Sequence, residues 1–204
     1  MLIRILFLLF VCACSTFVSA DDLLKRYLPE TCYQTGEFEQ QKPLGKTQKL
    51  LTSQGRFAFS CNKGLVWRTQ SPLLETNLYQ LKGRQWLQSG DAPLQELNGK
   101  IHRHLGNILN QLIGGNQQFL NKHFAMVEQD KTLMLTPKQS RMKKFLQSIQ
   151  ITLTDNAVII KMQHPDNFTQ VRIFNINNRD SLNQTECREF TQTSDEICYR
   201  LFES

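Results

Sequence analysis

Residues 55–72, with the sequence GRFAFSCNKGLVWRTQSP, constrain the fold more than any other part of the chain. Phe57, Phe59 and Cys61 alternate with residues of a second face, which is the pattern of a strand with one apolar face. A second apolar run follows a turn that contains a glycine, and this run includes Trp67. Large aromatics on one face of a strand pair need an apolar partner there, which is either a core or a ligand.

The same alternation recurs along the chain, with short turns between the strands that it predicts. We expect strands at residues 36–41, 55–61, 65–68, 74–81, 84–88, 124–128, 132–136, 148–153, 157–163 and 170–175. A sheet of so many strands has to curl. The sequence therefore predicts a mainly β fold, an unclosed antiparallel β-barrel or half-barrel with a concave face.

A change of period interrupts the strands in the middle of the chain. Four apolar residues recur at helical spacing: Leu105, Ile108, Leu109 and Leu112. Gly114 and Gly115 end this helix, and Asn116 can cap a short second helix that holds Phe119. A further short helix is predicted at residues 22–28. The mid-chain helices can cover the concave face as a lid, above either a filled core or a pocket for an apolar ligand.

The N-terminal residues 1–20 have the pattern of a secretory signal peptide. A basic start, an apolar run and small residues before Asp21 predict cleavage after Ala20, which leaves residues 21–204 as one domain. We therefore expect the folded part of the protein to lie outside the cytoplasm. Cys14 permits a second interpretation, in which a lipoprotein signal leaves this cysteine as the lipidated N-terminus. The mass of the mature N-terminus distinguishes a soluble protein from a lipid-anchored one.

Four cysteines remain after the predicted cleavage, and an even number in an exported chain indicates two disulfides. Three pairings are possible. We favour Cys32 with Cys61, which would join the two strands of a hairpin at its open end. Cys187 with Cys198 would then clamp the C-terminal segment.

Basic residues are concentrated in two short stretches of a chain with 24 Lys and Arg against 18 Asp and Glu. One stretch holds Lys42, Lys46 and Lys49, and the other holds Arg141, Lys143 and Lys144. Neither has the interleaved aromatics typical of a nucleic-acid surface, so we expect no nucleic-acid partner. Solvated faces are the simpler interpretation, and an anionic membrane surface or lipid head group is the alternative.

Motifs for catalysis are missing from the sequence, which has no H-E-x-x-H, G-x-S-x-G or phosphate-binding loop. His102 and His104 lie two residues apart at the start of a predicted helix, so their side chains would point in nearly opposite directions. We therefore expect no metal site, no cofactor and no enzymatic activity.

The order of several short motifs resembles the periplasmic outer-membrane lipoprotein carriers, the LolA-like family, in particular its divergent branch. The resemblance covers residues 23–176, and its marks are Phe38-x-Gln40, Gly55, Trp67, Gln70-Ser71-Pro72 and Leu135-Thr136-Pro137-Lys138. It implies a soluble, monomeric carrier of the periplasm that moves acylated lipoproteins, or another lipid, from an inner-membrane donor complex to an outer-membrane acceptor. A lipid-anchored acceptor or a lipid-sensing interaction protein of the same fold is the alternative.

The resemblance also implies a hydrophobic cavity between the sheet and the helical lid. Its candidate lining consists of Phe57, Phe59, Leu65 and Trp67 from the sheet, with Ile108, Leu109, Leu112 and Phe119 from the lid. Apolar residues at regular spacing form plain core in many proteins, so the same eight residues have a purely structural interpretation.

One departure from the family concerns the release of cargo. The better-known carriers have an Arg-Pro pair before the Trp, with the Arg implicated in lid control, and Cys61 and Asn62 stand at those positions here. Lys63 or Arg68 could substitute, although a lysine does not reproduce the fork of a guanidinium. The family's release mechanism therefore does not carry over, and the cargo could be another acylated molecule such as a glycolipid.

Overall fold

A computed structural model describes residues 20–45, 49–81, 83–97 and 99–203, without the side chains of residues 20, 21 and 100–103. The proposed signal sequence, including Cys14, therefore lies outside the described residues, apart from the backbone of Ala20. The side chain of His102 lies outside them as well.

The first half of the chain forms a short helix and a six-stranded antiparallel meander. Its elements are α1 (Ala20–Tyr27), β1 (Tyr33–Pro43), β2 (Leu50–Ser60), β3 (Gly64–Ser71), β4 (Glu75–Gln80), β5 (Gln85–Ser89) and β6 (Gln95–Glu96). The sequence predicts these strands except for β6, which is only two residues long and has no alternation to recognise.

Two helices, α2 (Lys100–Ile113) and α3 (Gln117–His123), lead to a second antiparallel meander. It consists of β7 (Phe124–Gln129), β8 (Thr132–Pro137), a short helix α4 (Ser140–Lys143), β9 (Ser148–Thr154), β10 (Ala157–Gln163) and β11 (Phe168–Asn178). Asn116 caps α3 as expected, because its side chain accepts a hydrogen bond from the backbone N–H of Phe119 at 2.9 Å.

The two meanders form one sheet because β1, the first strand in the sequence, pairs with β11, the last strand, in antiparallel register. The result is one 11-stranded sheet with β6 and β7 at its two edges. The sheet is not closed, which confirms the predicted half-barrel. The helical insertion therefore connects the two free edges of the curved sheet.

The C-terminal part of the chain forms two helices that the sequence analysis did not predict, α5 (Gln184–Thr191) and α6 (Asp195–Glu203). They are only eight and nine residues long, too short to show a helical repeat clearly. A capping box begins α5, in which Asn183 and Glu186 each accept a hydrogen bond from the other's backbone N–H.

The sheet buries apolar side chains on both faces in its first half. Leu65 and Trp67 of β3 point into the concave cluster, whereas Val66 between them packs with Ile197 and Leu201 of α6 on the convex side. The strand β3 therefore lacks a solvent-exposed face over these residues. This explains why its sequence reads as a continuous apolar run.

Both disulfides occur in the pairing favoured on sequence. Cys32–Cys61 joins the residue before β1 to the residue after β2. Cys187–Cys198 joins α5 to α6 and is fully buried against the convex face. The second bridge thus holds the helix pair that covers Val66 and Leu78.

Candidate functional site: the concave face and its helical cover

The eight candidate lining residues all belong to the apolar cluster of the concave face or pack against it. Six of them are at most 4% exposed: Phe57, Phe59, Leu65, Trp67, Ile108 and Leu112. Leu109 and Phe119 are half-buried at its margin. The structure therefore brings the eight together, and a ligand-binding role for them stays a prediction.

A flat aromatic layer forms the floor of this cluster. The rings of Phe57 and Trp67 lie across from each other on β2 and β3, with centroids 5.8 Å apart and planes 20° from parallel. Such a layer offers broad apolar contact without hydrogen-bonding groups, apart from the indole N–H.

Small residues let α2 approach the sheet closely. A Cβ atom at Gly114 would lie only 2.6 Å from Cζ of Phe59, and one at Gly106 would overlap the side chains of Tyr79 and Gln85. Asn110 adds a polar link, because its Nδ2 donates to the backbone carbonyl of Tyr79 at 3.1 Å. The helix is thus fitted to the sheet along its length.

The stability of α2 itself is low for a helix of 14 residues. Its N-cap is Gly99, which provides no side-chain cap, and neither its first turn nor its last turn carries a charge that favours the helix dipole. Gly106, Asn107 and Asn110 in its interior are poor helix formers. Packing of Ile108 and Leu112 must therefore hold the helix in place.

A crevice of about 250 Å³ lies beside α2 on the concave side of the sheet. Its apolar wall includes Leu97, Leu105, Leu109 and Met162, whereas Lys42 and His164 supply polar groups. The imidazole Nδ1 of His164 lies 2.9 Å from the carbonyl of Phe145, and its Nε2 lies 3.3 Å from Oγ1 of Thr169. The arrangement suits a ligand with an apolar body and a polar end.

Tyr79 also lines this crevice. Burial, and to a smaller extent the carboxylate of Glu75, raise the pKa of the Tyr79 hydroxyl far above its ordinary value. The hydroxyl is therefore neutral at every physiological pH. The wall of the crevice therefore carries no charge at that point.

A wider groove of about 700 Å³ lies at the other end of α2, next to the Cys32–Cys61 disulfide. Phe59, Asn110 and Gly114 contribute to its wall. Asn110 is 2% exposed, and its Oδ1 has no hydrogen-bond partner among the described residues. Open space thus adjoins α2 at both ends.

The bases that could have replaced the family's arginine lie elsewhere. Arg68 follows Trp67 directly in β3, so its side chain is on the opposite, convex face, opposite Arg56 in the ladder. Lys63 lies in the turn before β3. Burial lowers the pKa of Arg68, which nevertheless remains charged. The suggestion that Arg68 serves the cavity is therefore wrong, because strand side chains alternate between the two faces.

Several crevice residues were not among the candidates from sequence, namely Lys42, Tyr79, Leu97 and Met162. Met162 could have been found, because it alternates with Ile160 on one face of its strand. Lys42 and Leu97 show no such signal, because they lie in a hairpin end and a connection whose course the sequence does not specify.

Within the described ranges, no three His, Cys, Asp or Glu side chains are grouped where they could hold a metal ion. None of the helices described is long and apolar enough to cross a membrane.

Comparison with known proteins finds similar solved structures but no similar sequences. No protein-family model matches the sequence, and no curated protein matches it. A LolA superfamily protein from Nitrosomonas europaea superposes with a TM-score of 0.50 at 10% identity, over 88% of this chain and 99% of that one.

Two other solved structures are similar at lower scores. A DUF1329 family protein from Desulfovibrio piger has a TM-score of 0.48 at 11% identity, over 81% of this chain and 94% of that one. A putative outer membrane lipoprotein-sorting protein domain from Vibrio parahaemolyticus has a TM-score of 0.46 at 10% identity, over 83% and 95%. The chain thus has a divergent LolA-like fold, and identities this low define the fold alone.

Proposed function

We propose that the protein is a carrier that binds the acyl chains of a lipoprotein, or of another lipid, between the concave face of its sheet and α2. The observation that carries the proposal is the cover itself. A poorly capped helix with Gly106 in its interior closes an aromatic-floored apolar surface, and a crevice with an apolar wall adjoins it. A cover of this kind suits a site that opens for cargo.

The energies support displacement of the helix by cargo. An acyl chain of about 15 methylenes gains about 12 kcal/mol on burial, at about 0.8 kcal/mol per methylene. Removing Ile108 and Leu112 from the core costs about 3–6 kcal/mol for the two side chains. The difference of about 6–9 kcal/mol favours the bound acyl chain over a chain free in water, so release needs an acceptor that buries the chain again.

Lack of polar groups on the floor suits a carrier that has to release its cargo. Apart from the indole N–H, Phe57, Leu65 and Trp67 offer only apolar contact, so affinity depends on buried area and tolerates different chain lengths. An enzyme would need a polar group aimed at a reacting bond. The floor formed by Phe57, Leu65 and Trp67 does not supply one.

The proposed compartment is the periplasm, with transit from the inner to the outer membrane. Two disulfides favour an oxidising compartment over the cytoplasm. The signal sequence proposed at residues 1–20 agrees with export, and so does the LolA-like fold.

Titration with a photoreactive, fluorescent fatty-acyl probe tests the proposal. We expect saturable binding, and crosslinks that map by mass spectrometry to α2 and to the concave residues of β2 and β3. Leu109→Glu, in the crevice wall, should abolish uptake. Val127→Glu, which introduces the same charge on an exposed residue of β7, should bind like the wild type.

Crosslinks confined to exposed leucines, or a failure of Leu109→Glu to lower uptake, would contradict the proposal. Either result would mean that the concave cluster is ordinary core. The lipid-sensing or scaffolding interpretation of the same fold would then take precedence.

A further inference from the structure

Five of the strand connections lie at the same end of the sheet, along the rim formed by the ends of the strands and not along the outer strands β6 and β7. All neighbouring strands are antiparallel, so the β1–β2, β3–β4, β5–β6, β8–β9 and β10–β11 connections end up together. The β2–β3, β4–β5, β7–β8 and β9–β10 connections lie at the opposite edge, with the α1–β1 and β11–α5 connections. We call the first the hairpin edge and the second the disulfide edge.

Charge is unevenly divided between the two edges. The described connections of the hairpin edge hold five bases and two acids: Lys49, Lys138, Arg141, Lys143 and Lys144 against Asp91 and Asp166. Those of the disulfide edge hold four of each: Lys63, Arg84, Lys131 and Arg179 against Glu30, Asp130, Asp155 and Asp180. The fold thus brings two basic stretches, about 90 residues apart in sequence, to one rim.

The hairpin edge also exposes large apolar side chains, which a soluble protein seldom places together. At the end of the β1–β2 hairpin, Leu44 is 53% exposed and Leu50 is 48% exposed. Leu73, in the β3–β4 connection, is 77% exposed. The β1–β2 and β3–β4 hairpins are neighbours, and Lys49 lies between Leu44 and Leu50 in the first of them, so this part of the rim is amphipathic.

The acids that would repel an anionic partner are missing from this part of the sequence. Residues 40–74 contain six Lys or Arg and no Asp or Glu. The stretch therefore has a formal charge of +6, which favours an anionic partner.

The hairpin edge is continuous with the crevice beside α2. Lys42 lines the crevice and is paired with Leu51 in the β1–β2 ladder, and Leu51 is 42% exposed. His164, from the β10–β11 connection at the same edge, lines the crevice too. A surface bound at the hairpin edge would therefore lie next to the crevice.

We propose that the hairpin edge docks on the surface of an anionic lipid bilayer. Leu44, Leu50 and Leu73 enter the boundary between head groups and acyl chains, and the lysines of the rim contact the phosphate groups. A bilayer fits both features at once, because membrane-surface segments combine basic residues with leucines in this way. The crevice then faces the membrane, so that an acyl chain can pass without crossing water.

Co-sedimentation with vesicles tests this docking surface. The purified protein should bind vesicles of phosphatidylcholine mixed with phosphatidylglycerol, more weakly at high salt, and bind poorly to phosphatidylcholine alone. Lys143→Gln with Lys144→Gln should weaken partitioning by roughly 25-fold, because each base near an anionic surface contributes about fivefold. Leu44→Ser with Leu50→Ser should weaken it as well.

Matched control variants test whether vesicle binding depends on the hairpin edge and not on another part of the molecule. Arg84→Gln with Lys131→Gln removes the same charge from the disulfide edge, and Val127→Ser removes an exposed apolar side chain from β7. Both should bind vesicles like the wild type, with all variants first shown to melt at wild-type temperature. An equal loss of vesicle binding in the control variants, or no vesicle binding by the wild type, would overturn the proposal.

The docking surface does not depend on the cargo site. Protein that binds vesicles but takes up no acyl probe would retain the hairpin edge as a membrane surface and refute the carrier function. Protein that takes up the probe but does not bind anionic vesicles would support the carrier function and refute the hairpin edge as a membrane surface.

Discussion

Phe38 and Trp67 stack with ring centroids 3.8 Å apart, although they lie on β1 and β3 with β2 between them. The residue directly across from Phe38 on β2 is Gly55. Because Gly55 has no side chain, the Phe38 ring can extend over β2 and reach the indole. Three separate marks of the sequence pattern, Phe38, Gly55 and Trp67, are thus one contact in the fold.

Gly55→Ala should therefore be strongly destabilising. A Cβ atom there would overlap the backbone carbonyl of Arg68 and lie 2.8 Å from Cζ of Phe38. We expect a loss of about 3 kcal/mol in the free energy of unfolding, measured by urea denaturation. Gly90→Ala, where a Cβ atom meets nothing within 4 Å, should cost only about 1 kcal/mol for its positive φ. Equal costs would show that β3 and Phe38 do not crowd Gly55 as described.

Charged substitutions at Leu109 and Trp67 should have different consequences. Leu109 is half-buried in the crevice wall, so Leu109→Glu should abolish uptake of an acyl probe and lower stability by no more than about 1 kcal/mol. Trp67 is 4% exposed, so Trp67→Glu should cost more than about 4 kcal/mol and lose folding with binding. Thermal melts and probe titrations on both variants make the comparison. If Leu109→Glu melts as early as Trp67→Glu, Leu109 is core and not part of a binding site.

The two disulfides should differ in their response to reductant. Cys61 is exposed, whereas Cys187 and Cys198 are fully buried under α5 and α6. Mild reduction under native conditions should therefore open Cys32–Cys61 first, and thiol alkylation followed by mass spectrometry should detect two labels before four. Early labelling of Cys187 would show that the C-terminal helix pair opens readily.

Removal of the buried disulfide should lower the stability of the fold. Cys187→Ala with Cys198→Ala opens a loop of 11 residues in sequence separation, worth about 3 kcal/mol in the chain-entropy model. The free energy of unfolding from urea titrations measures the loss. An unchanged value would mean that α5 and α6 are held by their apolar contacts with Val66 and Leu78 alone.

Alkaline pH should weaken the attachment of α1 to β7. The hydroxyl of Tyr27 donates to Oε1 of Glu128 at 2.6 Å, and burial together with this carboxylate raises the pKa of Tyr27 to about 12. A raised pKa means that the protonated hydroxyl is favoured in the folded state. Its stabilising effect is complete below about pH 10, the ordinary value, and is lost as pH rises towards 12.

Tyr27→Phe isolates this effect from other groups that titrate at alkaline pH. The difference in unfolding free energy between wild type and variant should be constant near neutral pH and shrink above about pH 10. Parallel loss of stability in both proteins over that range would mean that the hydrogen bond to Glu128 contributes nothing.

The sequence predicts most of the strands because their two faces differ in polarity. Residues 157–163 alternate between the concave face and a more polar face, and the predicted bounds of that strand match β10. The strand order within each half also follows from short turns such as the one after Thr154. Pairing of β1 with β11 leaves no such signal, because its partners are 129 to 144 residues apart.

The helices α5 and α6, which pack on the convex face, were not predicted for a related reason. Val66 and Leu78 read as ordinary members of a buried strand, and only the tertiary structure shows that α5 and α6 pack against them. The candidate lining was found because Phe57, Trp67 and Ile108 have clear periodicity. The edge of the sheet at which a loop lies depends on the direction of every strand, so the grouping of Lys49 with Lys144 could not be predicted.

Native mass spectrometry with lipid extraction, on protein purified from the cells that export it, tests the central claim most directly. The carrier account predicts a co-purifying acylated species, whose mass distinguishes a lipoprotein from a glycolipid, and its loss from the Leu109→Glu variant. Protein that is free of lipid in its own compartment, and that also fails to take up an acyl probe, would contradict the account.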